Sequence, residues 1–162
     1  MSGALPLHVA LVEPQIPQNT GNVARTCACT GAALHLIKPM GFTVTDAKLK
    51  RAGLDYWDKL DITYYDSLSD FLDNPPGPCV FFTTKAKKRY TEVEYRPGCC
   101  LVFGREDAGL PPFLLQDPKR QCVRLPMRGQ LRSLNLSNTV AVGVYEALRQ
   151  WEHEGLQWQG GV

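Results

Sequence analysis

The sequence predicts an α/β protein in which a mostly parallel sheet is flanked by helices on both sides. Short apolar runs recur along the chain, and segments with a helical pattern separate most of them. Apolar runs without alternation are typical of strands that are buried on both faces. Strands that alternate with helices are typical of a parallel sheet. Clusters of polar residues follow several of these runs, at the positions where ligands bind in folds of this class.

Each predicted strand is an apolar run with polar, glycine or proline residues at its ends. Pro39 and Gly41 close the second run, and a rigid segment rich in proline, residues 75–78, precedes the fourth. The predicted strands are His8–Val12, Leu34–Ile37, Ile62–Tyr65, Cys79–Thr84, Cys99–Phe103 and Gln121–Leu125.

The predicted helices carry start and stop signals. Gly31 ends the first, Asp66 or Ser67 caps the third, and Pro111 lies in the first turn of the fourth. The last helix has apolar residues at intervals of four, which form a stripe wide enough to pack on the sheet and to leave room for a subunit interface. The predicted helices are Asn22–Thr30, Asp46–Leu54, Ser67–Leu72, Pro111–Leu115 and Leu136–Glu154.

Length and composition are typical of one globular domain. The chain has 162 residues, 44% hydrophobic and 21% charged, so we expect a single domain over residues 1–162 with a flexible tail at about 155–162. No apolar run is long enough to cross a membrane, and the first residues do not resemble a signal peptide, so we expect a cytoplasmic protein. The six cysteines lack Cys-x-x-Cys spacing and the three histidines are scattered, which argues against a metal site and a disulfide framework.

Basic residues form clusters although the net charge is only +2. Solvated surface is the simplest interpretation of any one cluster. Two of the clusters flank polar segments, so together they could line a face that binds nucleic-acid phosphates. The clusters are Lys48, Lys50 and Arg51; Lys85, Lys87, Lys88 and Arg89; and Arg124, Arg128 and Arg132.

Three polar segments at predicted strand ends indicate a ligand site. They are Asn19–Asn22, Phe103–Pro111 and Leu125–Asn138. The third carries two serines and two asparagines at the start of the last helix, more than helix capping requires. The first could simply cap a helix, and the second could be a glycine turn with a capping acid. The sequence lacks the glycine-rich motifs of dinucleotide sites, P-loops and α/β-hydrolases.

Individual residues in these segments suggest roles. Arg25 follows the first segment by one turn, and its guanidinium suits phosphate recognition. Gly104 would let a ligand approach the backbone closely. Glu106 could accept hydrogen bonds from a ligand or orient the arginine. Phe82 could stack on a purine, although a core phenylalanine is the commoner explanation.

The three segments resemble the three sequence motifs of the SPOUT RNA methyltransferases. The match lies in Asn19–Arg25, in Phe103–Glu106 with Gly109–Pro111, and in Leu125–Met127 with Ser133–Asn138. Further segments resemble the tRNA (cytidine(34)-2'-O)-methyltransferase subgroup, so that the likeness extends from Val9 to about Gln150. These further segments are Glu13–Asn22, Lys38–Phe42, Arg51–Tyr56, Thr83–Lys85 and Val144–Ala147.

The resemblance implies a fold and a cofactor that the pattern of strands does not. In this family the carboxyl-terminal part of the chain passes through a loop to form a deep trefoil knot, which is rare among proteins. S-adenosylmethionine binds bent within the knot, and the protein works as a homodimer whose RNA site is shared between subunits. By position, the residues implied to line or approach the cofactor are Phe82, Gly104, Leu125, Ser133, Gly109, Leu110, Met127 and Leu134.

The implied reaction is methyl transfer to the ribose 2'-hydroxyl of the wobble nucleotide, position 34, in the tRNA anticodon stem-loop. Arg25 would hold a phosphate and stabilise the developing alkoxide, with Glu106 fixing it, and Ser133 and Asn135 would orient the hydroxyl and the cofactor. No metal is required. The residues implied to contact RNA are Asn19, Asn22, Arg25, Lys85 and Tyr145.

Other interpretations stay open at this stage. An enzyme of the same fold could act on ribosomal RNA or on another tRNA position, a silent RNA-binding protein could keep the knot, and a flavodoxin-like module could bind a nucleotide. Arg105 stands where the family usually has proline, and Gly129–Leu131 occupies a turn that is usually more polar, so the accepted nucleotide could differ.

Overall fold

The computed structural model describes residues 5–43, 47, 57–131 and 133–160. These residues form a seven-stranded sheet and four helices. The strands are β1 His8–Val12, β2 Ala33–Ile37, β3 Ile62–Tyr65, β4 Cys79–Phe82, β5 Lys88–Arg89, β6 Cys100–Phe103 and β7 Gln121–Arg124. The helices are α1 Pro17–Thr30, α2 Leu68–Asp73, α3 Pro112–Gln116 and α4 Leu136–Gln150.

Every pair of neighbouring strands is parallel, which confirms the predicted sheet type. The strand order is β3-β2-β1-β6-β4-β7-β5. The chain therefore builds outward from β1 to one edge and then crosses to the other side of β1. Ligands bind at such a reversal, beyond the carboxyl ends of the strands.

The core lies on both faces of the central strand β6, whose residues are all buried. On one face, α1 and α4 contribute Val23 and Val144. On the other face, α2 and α3 contribute Phe71 and Leu114. Burying a side chain of this size stabilises the fold by about 1.5–3 kcal/mol. The two faces together fix β6, and with it the segment that follows Phe103.

The prediction that strands are buried on both faces is confirmed for the central strands and is wrong for β3. Thr63 and Tyr64 of β3 are exposed. The reason is its place at the edge of the sheet, where it pairs with β2 alone.

The first helix begins earlier than the sequence predicts, at Pro17 rather than Asn22. The predicted loop Asn19–Asn22 is therefore helical. Ile16 occupies the cap position without a side-chain cap, and Pro17 lies in the first turn, where a missing N–H costs nothing. The group that completes this helix start comes from a distant part of the chain, so the local sequence carries little sign of it.

Two further boundaries differ from the prediction. Strand β4 ends at Phe82 rather than Thr84, because the next residues form a turn in which the Ala86 N–H donates to the Thr83 carbonyl at 3.2 Å. Helix α4 ends at Gln150 rather than Glu154, because Glu152 and His153 have positive φ. The short charged strand β5 was not predicted.

The other elements match their predictions within a residue or two. Ser67 caps α2 by accepting a hydrogen bond from the Asp70 N–H at 3.1 Å, which selects it over Asp66. The predicted helix Asp46–Leu54 lies outside the described residues except for Ala47. The basic cluster of Lys48, Lys50 and Arg51 lies outside them too, as does Arg132. No helix of the described residues is long and apolar enough to span a bilayer.

A chain of polar side chains crosses three neighbouring strands. His8 Nδ1 lies 2.9 Å from His35 Nε2, and His35 Nδ1 lies 2.9 Å from the Tyr65 hydroxyl. His35 is only 5% exposed. Burial, together with the neighbouring His8, lowers its pKa from 6.5 to about 4 against the opposing effect of Asp61.

We expect the free energy of unfolding to fall as the pH drops from 7 to 5. The pKa of His35 is lower in the folded chain than in the unfolded chain, so protons bind the unfolded chain more readily between pH 6.5 and 4. For a shift from 6.5 to about 4 the loss is about 2 kcal/mol, measurable by urea unfolding at the two pH values.

The variant His35→Gln should remove most of this pH dependence. Tyr65→Phe serves as the control, because it deletes one hydrogen bond but keeps the imidazole. It should lower stability at both pH values without flattening the slope. Equal slopes in the original chain and His35→Gln would contradict the assignment to His35.

Candidate functional site

A cleft of about 960 Å³ opens beyond the carboxyl ends of β4, β6 and β7. Its walls come from the ends of these three strands, from the segments that follow them, and from the starts of α1 and α4. The cofactor residues that the sequence predicts all line it. They are Phe82, Gly104, Gly109, Leu110, Leu125, Met127, Ser133 and Leu134.

The predicted catalytic and RNA-contacting residues divide into two groups. Asn19, Lys85, Glu106 and Asn135 line the cleft along with Ser133. Three others do not line it: Asn22 and Arg25 are exposed on α1, and Tyr145 is 47% exposed on α4. A single chain therefore brings the predicted cofactor residues together in one cleft, and its Arg25 lies outside that cleft.

Phe82 belongs to the core as well as to the cleft wall. It is 6% exposed, and its ring stacks on Phe103 with centroids 4.6 Å apart and planes 25° from parallel. Gly143 of α4 makes this possible, since a Cβ there would lie 2.9 Å from Phe82 Cζ. With one face covered by Phe103, the ring fits the core interpretation better than the purine-stacking one.

Gly104 is required for a reason that the sequence prediction missed. A Cβ on Gly104 would overlap the Gly109 carbonyl carbon and the Leu110 nitrogen and lie 2.6 Å from the Gly109 oxygen. The close approach is therefore by the loop's own backbone, whatever a ligand does. Gly109 adopts φ +69, in the left-handed region that favours glycine.

The loop between these glycines is closed by paired hydrogen bonds. The Arg105 N–H donates to the Gly109 carbonyl at 3.2 Å, and the Gly109 N–H donates back at 2.9 Å. Arg105 also donates to both carboxylate oxygens of Asp107 at 3.0 Å. The Arg105 guanidinium lowers the pKa of the Asp107 carboxyl through these bonds. The residue that replaces the usual proline therefore ties the loop to itself.

Glu106 completes the start of α1. Its carboxylate accepts hydrogen bonds from the N–H groups of Gln15 and Ile16, each at 2.9 Å, and from the side-chain amide of Asn19 at 3.4 Å. A carboxylate is favoured at a helix start, where N–H groups lack partners. Glu106, in the loop after β6, thus supplies the cap that Ile16 does not provide.

Asn19 links Glu106 to the start of α4. Its amide oxygen accepts a hydrogen bond from Asn135 Nδ2 at 3.1 Å. Asn135 Oδ1 in turn accepts from the Ser137 N–H at 2.9 Å and from the Ser137 hydroxyl at 2.7 Å. Asn19 is 6% exposed. Its amide is engaged within the protein, so its position fits an organising role better than the predicted RNA contact.

Sequence reasoning missed several cleft residues. Arg124 is the most informative, because its guanidinium donates to the Thr84 carbonyl at 2.8 Å and holds the segment after β4. Five of the missed residues lie within the predicted polar segments, although none of the five was given a role of its own. The missed residues are Ile16, Thr83, Thr84, Phe103, Arg105, Asp107, Ala108, Arg124, Leu136 and Thr139.

No group of three or more His, Cys, Asp or Glu side chains in the described part of the chain is arranged to hold a metal ion. The cleft instead combines an apolar wall with a few polar groups. Backbone atoms of the glycine loop border it, as does Asn135, which caps α4. Such a site suits a small organic ligand with a polar end.

Comparison with known proteins identifies the family. Residues 6–145 match the model of the SpoU rRNA Methylase family. A protein of Burkholderia ambifaria named tRNA (cytidine(34)-2'-O)-methyltransferase is 50% identical over 152 residues, which cover 91% of this chain and 97% of the relative. A protein of Yersinia pestis with the same name is 46% identical over 156 residues, 92% of this chain and 96% of the relative.

Solved structures share the fold. One, described as giving structural insights into the 2-OH methylation of C/U34 on tRNA, has a TM-score of 0.85 and 46% identity, and covers 92% of this chain and 98% of its own. Another, an RNA 2'-O ribose methyltransferase, has a TM-score of 0.77 and 30% identity, over 94% of this chain and 58% of its own.

We expect Gly104→Ala to lower the free energy of unfolding by about 1–3 kcal/mol, because the added methyl group overlaps the backbone of the same loop. Gly129→Ala is the matched control, since nothing lies within 4 Å of a Cβ built there. Its effect should stay within about 0.5 kcal/mol. Urea unfolding followed by circular dichroism measures both, and equal effects would mean that the loop is not closed as described.

Proposed function

The chain belongs to the SpoU rRNA Methylase family, and we propose that it is an S-adenosylmethionine-dependent methyltransferase that modifies the ribose 2'-hydroxyl of nucleotide 34 in tRNA. The observation that carries the proposal is the convergence of three distant segments on one cleft. The two relatives named above support the choice of tRNA and of nucleotide 34. A tRNA substrate is consistent with a cytoplasmic location.

The cleft fits S-adenosylmethionine in size and chemistry. Its volume of about 960 Å³ lies at the upper end of the usual range for small-molecule sites. Leu110 and Leu125 offer apolar surface for the adenine and the thioether carbons. Backbone groups near Gly104 and Gly109 are available for the polar atoms. When bound, the cofactor supplies an activated methyl group on its sulfonium.

The strand order supports the proposed trefoil knot. Strand β7 lies between β4 and β5, which precede it in the chain. The connection from β4 to β5 therefore crosses the position of β7, which follows both strands in the sequence. We propose that the chain after β7 passes beneath this connection before it continues into α4, whose Gly143 packs on Phe82. A chain that enters beneath an earlier connection in this way is what a knot requires.

The protein's part in the reaction is to align the ribose hydroxyl and stabilise its developing negative charge. Asn135 and Ser133 border the cleft where the hydroxyl would meet the methyl group. Arg25 suits charge stabilisation better than proton removal, because a guanidinium with a pKa above about 12 is a poor base. We assign the arginine to the nucleotide phosphate and the alkoxide.

The position of Arg25 supports a site shared between two subunits. It is exposed on α1 and does not line the cleft of its own chain. Helix α1 packs against α4, whose outer face carries the exposed apolar side chains Val142 and Tyr145. A homodimer formed through this face would cover these side chains and could bring the arginine of one subunit to the cleft of the other.

The basic cluster after β4 would face the RNA. Lys85 lines the cleft, and Lys87, Lys88 and Arg89 are exposed beside it. Glu92 pairs with Arg89 at 2.8 Å, which leaves the lysines as the stronger phosphate contacts. Exposed cations of this kind contribute to binding without reading sequence.

Methyl transfer can be tested directly. Purified protein and S-adenosylmethionine are incubated with tRNA from cells that lack the corresponding gene, and anticodon fragments are analysed by mass spectrometry. We expect one methyl group on the ribose of nucleotide 34 in a subset of tRNAs. Methylation of ribosomal RNA or of another tRNA position instead would overturn the assignment in favour of a related enzyme.

In the same assay, Arg25→Ala should reduce methyl transfer by at least about 100-fold, because the developing charge loses its partner. Cofactor affinity measured by calorimetry should change little, since the arginine lies outside the cofactor wall of its own chain. Arg96→Ala is the control for loss of an exposed positive charge, because Arg96 lies at the opposite ends of the strands from the cleft. A variant that keeps most of its activity would remove Arg25 from the mechanism.

Mixing two inactive variants tests the shared site. Arg25→Ala keeps an intact cleft, whereas Gly104→Ala keeps the arginine and has a disrupted cofactor loop. If each site takes its arginine from the other subunit, half of a random mixture is heterodimer with one competent site, so activity returns to about a quarter of the normal level. Absence of recovery in a mixture shown by mass spectrometry to contain heterodimers would place both groups in one chain.

A further inference from the structure

A second depression, of about 520 Å³, lies at the amino ends of β4, β6 and β7, whereas the cleft lies at their carboxyl ends. Cys79, at the start of β4, and Cys99, just before β6, line it. Phe82 and Phe103, at the other ends of these strands, belong to the cleft. The proposed methyl transfer makes no use of this depression or of its thiols.

Cys79 and Cys100 are paired by the sheet itself. They are register partners on the adjacent parallel strands β4 and β6, so their side chains project on the same face. Neighbouring strands lie about 4.8 Å apart. That spacing falls within the Cα separation of about 4.4–6.8 Å that disulfides allow.

Exposure and charge distinguish Cys79 from its neighbours. It is half-buried and opens into the depression, whereas Cys99 and Cys100 are buried. Arg96, Lys119 and Arg120 also line the depression. The Cys100 side chain and the charge of Arg120 lower the pKa of Cys79 against the opposing effect of burial.

Burial holds the thiols of Cys27, Cys99 and Cys100 in their protonated form, so that Cys100 suits the second step, beside Cys79, rather than the first. Burial raises the pKa of Cys27 to about 12 and that of Cys99 to about 11. Because the thiolate is the nucleophile, a buried thiol with a raised pKa reacts slowly. Cys79 therefore combines access, a nearby cation and an adjacent second thiol.

We propose that Cys79 is a peroxide-sensitive thiol whose oxidation product is captured by Cys100 as a disulfide between β4 and β6. In the first step the Cys79 sulfur attacks one oxygen of hydrogen peroxide, the O–O bond breaks, and Cys79 sulfenic acid and water form. In the second step the Cys100 sulfur attacks the sulfenic sulfur, and the Cys100 proton leaves with the hydroxyl as a second water. Two thiols are oxidised and one peroxide is reduced.

The test exposes the purified full-length protein to stoichiometric hydrogen peroxide, blocks free thiols, and maps the products by tandem mass spectrometry. We expect a peptide pair linked through Cys79 and Cys100, with two hydrogens lost. Exposed Cys29 is the internal reference, and Cys79 should be consumed at least about tenfold faster. Faster loss of Cys29, or an unmodified Cys79, would overturn the proposal.

Matched variants locate the second sulfur. Cys99→Ser should still form the disulfide, whereas Cys100→Ser should stop at a Cys79 sulfenic acid that a dimedone probe traps. Loss of the linkage in Cys99→Ser with its retention in Cys100→Ser would assign the partner to Cys99 and refute the pair. If Cys100→Ser does not fold, fragmentation of the linked peptides from the unaltered protein separates Cys99 from Cys100.

Discussion

The hydrogen-bonded chain from Glu106 through Asn19 to Asn135 is the interaction on which the arrangement of the cleft depends. It joins residues that are 87 and 116 positions apart in the chain. Glu106 completes the start of α1, and Asn135 caps α4. Hydrogen bonds to a charged group contribute about 1.5–3 kcal/mol each, and a buried partner left unsatisfied costs a comparable amount. Together the three side chains hold two helix starts against the segment after β6.

The parallel sheet brings together the segments that carry these hydrogen-bonded side chains. Register pairs Phe82 with Phe103 and with Val123, so β4, β6 and β7 end at one edge. The segments that leave these strands must begin side by side. Gly143 then lets α4 approach the stacked rings of Phe82 and Phe103, and Gly104 lets the loop after β6 fold back on itself. Two small residues therefore decide how closely the walls of the cleft approach each other.

The two edges of the sheet differ in chemistry. The carboxyl ends of the central strands carry a wide cleft with apolar walls. Their amino ends carry a smaller depression with thiols and guanidinium groups. Both depend on the same strands, since β4 and β6 run from Cys79 and Cys100 to Phe82 and Phe103. The proposed methyl transfer uses the first edge, and the proposed thiol chemistry uses the second.

The sequence alone determined the type of sheet, most of its strands and the three segments that converge on the cleft. Short apolar runs between helical patterns encode a parallel sheet because its central strands are buried on both faces. Local signals also placed the cap of α2 at Asp66 or Ser67 and indicated the approximate start of α4.

Only the tertiary structure decided what depends on distant partners. Helix α1 starts at Pro17, and Glu106, remote in sequence, accepts hydrogen bonds from the N–H groups of Gln15 and Ile16 just before it. Strand β5 exists because β7 offers an edge for Lys88 and Arg89 to pair with. Position 104 requires glycine because its backbone lies against that of Gly109. The Asn19 amide is held by hydrogen bonds to Glu106 and Asn135. Such contacts are formed by the folded chain as a whole, and a local pattern of residues does not encode them.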